Sequence, residues 1–229
     1  MRIDLNADVA ESADDLALLD VVTSANVCCG AYAGGEELML DACERAVGQG
    51  VTIGAQVGYA DREGFGRRPQ DPPTDVLVDE LRRQLDLLAE VADAVGGRVA
   101  YVKPHGALYN TVVADERQAA AVVEAVAPYG LPLLGLPGAA SLRIAADDGL
   151  PVVAEGFADR AYTPDGTLLP RDRPGAVLHD PSDVAAQALR LVGQVASLCV
   201  HGDSPGALDL ARAVRRALEV AGHDVVAFA

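Results

Sequence analysis

Short apolar runs alternate with longer amphipathic stretches along all 229 residues, the pattern that βα units make when their strands stack into a parallel sheet. Strands are predicted at Arg2–Asn6, Val21–Cys29, Val51–Ala55, Val99–Val102, Leu131–Leu136, Val152–Phe157 and Ser197–Val200, with a last apolar run at Val225–Ala229. Helical periodicity covers Glu36–Val47, where Leu38, Met39, Ala42 and Ala46 share a face, then Thr74–Val95, Glu116–Ala127, Ala140–Ala146, Ser182–Val192 and Pro205–Ala221. Thr74 is placed to cap its helix and Gly96-Gly97 to stop it. Two connections, 56–73 and 158–175, far exceed the usual ~2–6 residues of such a link and are read as functional loops. No change of composition divides the pattern, so residues 1–229 are expected to form one domain.

The polar residues gather where the predicted strands end. Asn6, Asp8 and Glu11 follow the first, Ser24 and Asn26 lie late in the second, and Gln56 closes the third. Lys103 and His105 end the fourth, Glu155, Asp159 and Arg160 follow the sixth, and His201 and Asp203 end the seventh. In a βα barrel the carboxyl ends of all strands open on one face, so residues far apart in sequence could line one pocket.

Each group has a plain alternative. Asp203 or Ser204 could cap the following helix, and Asp8 and Glu11 could be first-turn acids facing a helix dipole. Gly64-Phe65-Gly66-Arg67-Arg68 could be a solvated basic turn or an anion clamp, since guanidinium groups match carboxylate and phosphate oxygens in pairs.

Charge and cysteine usage narrow the classes. The formal net charge of -16 argues against nucleic acid or an anionic membrane as partner. No uninterrupted apolar run is long enough for a membrane helix, and the acidic Met1-Arg2-Ile3-Asp4 does not begin a signal peptide, so a cytoplasmic protein is expected. Cys28, Cys29, Cys43 and Cys199 lack paired spacing for zinc or redox work and are read as reduced thiols. Of the 18 lysines and arginines only Lys103 is lysine. A compact ammonium that can reach and titrate is not interchangeable with a planar guanidinium, which makes this position a candidate for chemistry. Lysine, histidines and carboxylates together suit acid/base work on a carbonyl or amide, with a cation beside the developing oxyanion.

The motifs Asp4-Leu5-Asn6-Ala7-Asp8-Val9-Ala10-Glu11, Ser24-Ala25-Asn26-Val27-Cys28-Cys29-Gly30, Gly64-Phe65-Gly66-Arg67-Arg68, Val102-Lys103-Pro104-His105-Gly106-Ala107-Leu108-Tyr109-Asn110, Glu155-Gly156-Phe157-Ala158-Asp159-Arg160-Ala161-Tyr162 and Val200-His201-Gly202-Asp203 follow one another in the order of the LamB/YcsF family, which this chain resembles over nearly its whole length. The resemblance implies a seven-stranded (βα) barrel of the glycoside hydrolase/deacetylase type. It also implies a subunit of an ATP-dependent 5-oxoprolinase that opens 5-oxo-L-proline to L-glutamate with two further subunits. No nucleotide loop surrounds the lysine, so ATP would be handled with those partners.

Under this reading Asp8 or Glu11 is a base or water-orienting carboxylate, Lys103 the oxyanion partner, and His105 and His201 the proton carriers, with Asp203 beside them. Asn6, Asn26, Arg67, Arg68, Asn110, Asp159 and Arg160 are candidate substrate contacts. Lys103→Met should then spare the fold and lower turnover.

Two strings depart from the resemblance. Tyr32-Ala33-Gly34-Gly35 stands where the family usually has His-Ala-Gly-Asp, and Gly54-Ala55-Gln56-Val57 where it has Gly-Ala-His-Pro. With those histidines replaced, no metal is expected in this chain, and a metal-dependent polysaccharide deacetylase is the least favoured reading. A non-catalytic or regulatory barrel subunit that binds a small lactam or carboxylate is the main alternative.

Overall fold

The computed structural model describes residues 1–229. Its strands are β1 (Arg2–Val9), β2 (Ser24–Cys28), β3 (Thr52–Val57), β4 (Val99–Pro104), β5 (Leu133–Gly135), β6 (Val152–Phe157), β7 (Ser197–Val200) and the short β8 (Asp224–Val225). They pair in parallel in the order β2-β3-β4-β5-β6-β7-β1, and β1 pairs with β2 as well, which closes a seven-stranded barrel. The remaining strand, β8, attaches to β1 outside the ring.

The helices are α1 (Glu36–Gln49), α2 (Thr74–Ala94), α3 (Gly106–Thr111), α4 (Glu116–Val126), α5 (Ala140–Asp147), α6 (Pro181–Leu191) and α7 (Ala207–Val220). All but α3 cover the outside of the strands, and α3 borders the pocket at their carboxyl ends.

The period-two alternation of β1 explains how the barrel is filled. Leu5, Ala7 and Val9 belong to a continuous apolar cluster of 56 buried residues between strands and helices. Asp4, Asn6 and Asp8 alternate with them and are also buried. The same holds for Ser24 and Asn26 in β2, Glu155 in β6 and Ser197 in β7, so this barrel interior is polar where most are packed with branched aliphatics.

Buried polar groups need partners. Asn6 Nδ2 donates to Ser197 Oγ at 2.6 Å, Asn26 Nδ2 donates to Asn6 Oδ1 at 2.7 Å and to Asp8 Oδ1 at 2.8 Å, and Ser24 Oγ donates to Asp4 at 2.6 Å. At the opposite end from the site, the Tyr101 ring lies against Phe228, with centroids 5.0 Å apart, and its hydroxyl reaches Asn26 Oδ1 at 2.7 Å.

Several details differ from the sequence reading. Residues 13–20, for which the sequence predicts no element, form a 3-10 helix, and β2 begins only at Ser24. The six-residue α3 has no signature in the sequence, because a stretch that short, opening on Gly106 just after Pro104, shows no period. Thr74 does not cap α2. It is the first residue of the helix after Pro73, and its hydroxyl instead accepts from Arg117 at 3.4 Å. Neither Asp203 nor Ser204 caps α7, which starts after Gly206. The last apolar run pairs only over Asp224–Val225.

Gly54 sits beside Tyr101 in the β3/β4 register, and a Cβ there would lie 2.1 Å from the Tyr101 ring. Gly54→Ala is therefore expected to destabilise by about 1–3 kcal/mol, the scale of overpacking. That corresponds to a fall in Tm of roughly 3–10 °C for a chain of this size, checked by thermal unfolding.

Candidate active site

The carboxyl ends of the strands surround a pocket of about 480 Å³, lined among others by Asp8, Gln56, Lys103, His105, Tyr109, Asn110, Phe157 and His201. Arg67, Arg160 and Arg171 from the two long connections also line it. A volume of this size suits a small molecule.

Lys103 is at the floor, with its side chain 2% exposed. Its Nζ lies 2.9 Å from Glu155 Oε2 and 3.3 Å from both Asp8 Oδ1 and Asn6 Oδ1, with Cys199 Sγ at 3.1 Å. Burial alone would depress the Lys103 pKa, but Asp8 first and Glu155 further down outweigh it, and the ammonium is held well above the ordinary lysine value. Burial would raise Asp8, yet Lys103, His201, His105 and the Asn26 amide together hold it below the usual carboxylate range. Cys199 is pushed well up by burial and stands as a thiol, so the two carboxylates carry the charge that Lys103 answers. All the N–H groups of Lys103 have acceptors within the floor. It therefore acts on a bound molecule mainly as a fixed charge.

His201 and Asp159 form the second feature. The imidazole Nδ1 lies 3.0 and 3.1 Å from the two carboxylate oxygens of Asp159, and the His201 backbone N–H donates to the same carboxylate at 3.1 Å. A carboxylate only accepts, so Nδ1 carries the proton and Nε2 is left as the working nitrogen. Burial would raise Asp159, but the contacts with His201 and the nearby Arg171 hold it low. Stacking on Phe157, with ring centroids 5.0 Å apart, fixes the plane of the imidazole.

The third feature is a corner built from Tyr32, Gln56, His105 and Glu11. Tyr32 Oη donates to Gln56 Oε1 at 2.8 Å, so the two departures from the family strings are bonded neighbours, while Gln56 Nε2 is buried without a partner. The Tyr32 ring stacks on His105 with centroids 3.8 Å apart. Burial pushes His105 down to about 4 and pushes Glu11 well up, with Asp8 and Asp203 adding to the rise. At the mouth, Asp203 pairs with Arg67 at 2.6 Å and Arg171 at 3.6 Å.

With this geometry the relatives can be compared. Residues 3–229 match the description of the LamB/YcsF family. The chain belongs to the LamB/YcsF family. It is 52% identical over 249 residues to a protein named as the A subunit of 5-oxoprolinase from Streptomyces griseus, covering 99% of this chain and 100% of that one. It is 49% identical over 251 residues to the one so named from Paracidovorax citrulli, covering all of both. Among solved structures, a lactam utilization protein from Thermus thermophilus is similar with a TM-score of 0.93 and 38% identity over the full length of both chains. A family 4 carbohydrate esterase from Streptomyces lividans shares the fold alone, with a TM-score of 0.59 and 13% identity over 100% of this chain and 93% of that one. The family and the deacetylase-type barrel expected from the motifs are thus both present.

The structure brings Asp8, Lys103, His105 and His201 to one pocket, with Glu11 directly behind His105. Other expectations change. Asn6 and Asn26 lie beneath the floor, bonded to Asp8, Ser197, Tyr101 and each other, and do not line the pocket. Arg68 turns away, half exposed, to pair with Asp61 and Glu63. Asp159 is fully buried and orients His201 instead of meeting a ligand, while Asp203 holds the rim arginines. Arg160 lines the pocket, but its guanidinium donates to the carbonyls of Ala176 and Leu169 and so braces the 158–175 connection. Arg67 and Asn110 keep their places on the pocket wall.

Glu155 has a strand-end position but no assigned role in the sequence reading, although a carboxylate inside an apolar run demands a partner and only one lysine exists. Cys28 and Cys43 are buried thiols as expected, pushed by burial up to about 11 and about 12.

The expectation that Lys103→Met would spare the fold does not survive this geometry. The substitution leaves Asp8 and Glu155 buried without their cation and is expected to cost about 3–5 kcal/mol. Lys103→Arg should also destabilise, because a guanidinium does not fit a floor shaped around one ammonium. Urea unfolding of both variants checks this, and wild-type midpoints would contradict it.

Proposed function

We propose that this chain is the A subunit of a 5-oxoprolinase and supplies the pocket in which the lactam ring of 5-oxo-L-proline is opened to L-glutamate. The observation that carries the reading is His201, oriented by Asp159 and facing a pocket whose floor holds a fixed ammonium. Opening a stable lactam requires activation of the carbonyl, addition of water and cleavage of the ring C–N bond with protonation of the nitrogen. His201 Nε2 would take the proton of the attacking water and return one to the departing nitrogen. The field of Lys103 would steady negative charge developing above the floor. Arg67 and Arg171 at the mouth would hold the substrate carboxylate, the pairing guanidinium suits best.

Phosphorylation of the lactam oxygen by ATP would activate the ring carbon toward water, C–N cleavage would then give an acyl phosphate, and a second water would release phosphate and L-glutamate. The phosphorylation and the nucleotide site are assigned to the chain together with two partner subunits in the cytoplasm. The chain has no helix long and apolar enough to cross a membrane.

A second reading, a binding or regulatory role, is favoured by one observation: the Tyr32–Gln56 pair fills a corner of the pocket with groups that exchange no proton at neutral pH. The two readings separate in an assay of ATP-dependent glutamate release from 5-oxoproline by the chain with its partner subunits. Turnover lost on omitting the chain but unchanged in His201→Gln would favour the binding role.

On the catalytic reading, Asp159→Asn keeps the fold but presents the wrong imidazole tautomer, and kcat should fall by about a hundredfold or more. Arg171→Gln should instead raise KM by roughly tenfold or more with kcat kept, the loss of one charge-assisted contact. Steady-state kinetics of the reconstituted enzyme reads both.

A further inference from the structure

Glu11 and His105 meet in a way that protein atoms alone leave incomplete. His105 Nε2 lies 3.0 Å from the carbonyl oxygen of Phe65. A carbonyl only accepts, so Nε2 carries the ring proton and Nδ1 presents a lone pair. That lone pair faces Glu11 Oε1 at 3.4 Å, and Oε1 accepts no hydrogen bond although the Glu11 side chain is only 3% exposed. A proton or a cation must lie between these two acceptor atoms, and Asp8 offers a third ligand atom in the same group, all within 4.8 Å of one another. The bonds from Asn26 and Lys103 reach Oδ1 of Asp8, which leaves Oδ2 free of them.

The turn that carries Glu11 is firmly set. Asp15 accepts from the backbone N–H groups of Ala10, Glu11 and Ser12 at 2.9, 3.0 and 2.7 Å, and Ala10 is held at a φ of 61°. The charge balance points the same way. The one buried lysine, Lys103, is taken by Asp8 and Glu155, and Glu11 makes no ion pair with it.

We propose that Asp8, Glu11 and His105 bind one divalent first-row transition ion of the Mn2+ or Zn2+ type, with its open positions toward the pocket. An imidazole whose other nitrogen donates to a backbone carbonyl is the usual oriented metal ligand, and Phe65 supplies that carbonyl here. One nitrogen and two carboxylates with no thiolate suit Mn2+ or Zn2+ and leave positions for water or substrate. This set does not use the positions of Tyr32 and Gln56. The expectation of no metal rests on those two and leaves out Glu11 with His105. The site goes beyond the lactam reading, because binding is measured on the full chain alone and stands or falls apart from turnover.

The test begins with chelator-treated protein, titrated with Mn2+ and separately with Zn2+ by calorimetry, and with Mn2+ by electron paramagnetic resonance. One ion per chain is expected. Glu11→Gln and His105→Gln, with folding confirmed by circular dichroism, should each weaken binding by at least about tenfold. Pulsed resonance should show coupling from a single imidazole nitrogen that changes on 15N-histidine labelling of the wild-type chain. His201→Gln should retain that coupling, which places the ligand at His105. The labelling result decides the matter even where a variant fails to fold. Absence of saturable binding up to millimolar Mn2+ and Zn2+ would overturn the proposal. So would a bound ion without imidazole coupling, or affinity unchanged in a folded Glu11→Gln chain.

Discussion

A polar barrel interior is the constraint on which the rest of this structure depends. Strands that place Asp4, Asn6, Asp8, Ser24, Asn26, Glu155 and Ser197 away from water must satisfy every one of them. Neutral amides and hydroxyls can be met by one another, and mostly are, but Asp8 and Glu155 need a cation. Lys103 is the group that meets both. It thereby fixes the positions of β1, β4 and β6 relative to one another at the end where the pocket opens. The only lysine in the chain is a structural centre as much as a chemical one.

The pocket above this floor divides into parts with different chemistry. His201 is held by Asp159 in one tautomer, the arrangement of a proton carrier. The rim arginines are held by Asp203 and stand ready for an anion. Across the pocket, Tyr32 bonds Gln56 Oε1 but Gln56 Nε2 and Glu11 Oε1 have no partner, and only at Glu11 does the unpartnered atom face the lone pair of a second ligand-type group, His105. Buried groups left without partners are the points where a ligand gains most by binding.

Much of this is legible in the chain itself. The alternation of Asp4-Leu5-Asn6-Ala7-Asp8 shows a strand with one polar face, and the order of strands and helices shows a βα barrel with its site at the strand ends. The role of each residue is less legible, because depth within the barrel does not appear in sequence. Asn6 and Asn26 look like ligand contacts until their partners are seen beneath the floor. Arg67 and Arg68 are adjacent, yet one faces the pocket and the other faces solvent. The pairing of Tyr32 with Gln56 joins positions 24 apart and follows only from the β2/β3 register and the loop after β2. Glu155 is the residue most open to a better reading, since a carboxylate within Val152–Phe157 has to find the lysine.

Lys103 and Glu155 are expected to act as one unit, and a double-mutant cycle measures that directly. Unfolding free energies would be compared for wild type, Lys103→Met, Glu155→Gln and the double variant. The predicted result is that the double variant is more stable than the sum of the single losses requires, by about 1–3 kcal/mol, because removing both charges leaves less unpaired charge in the floor. Losses that simply add, within about 0.5 kcal/mol, would contradict it and show that the two residues stand in the barrel independently.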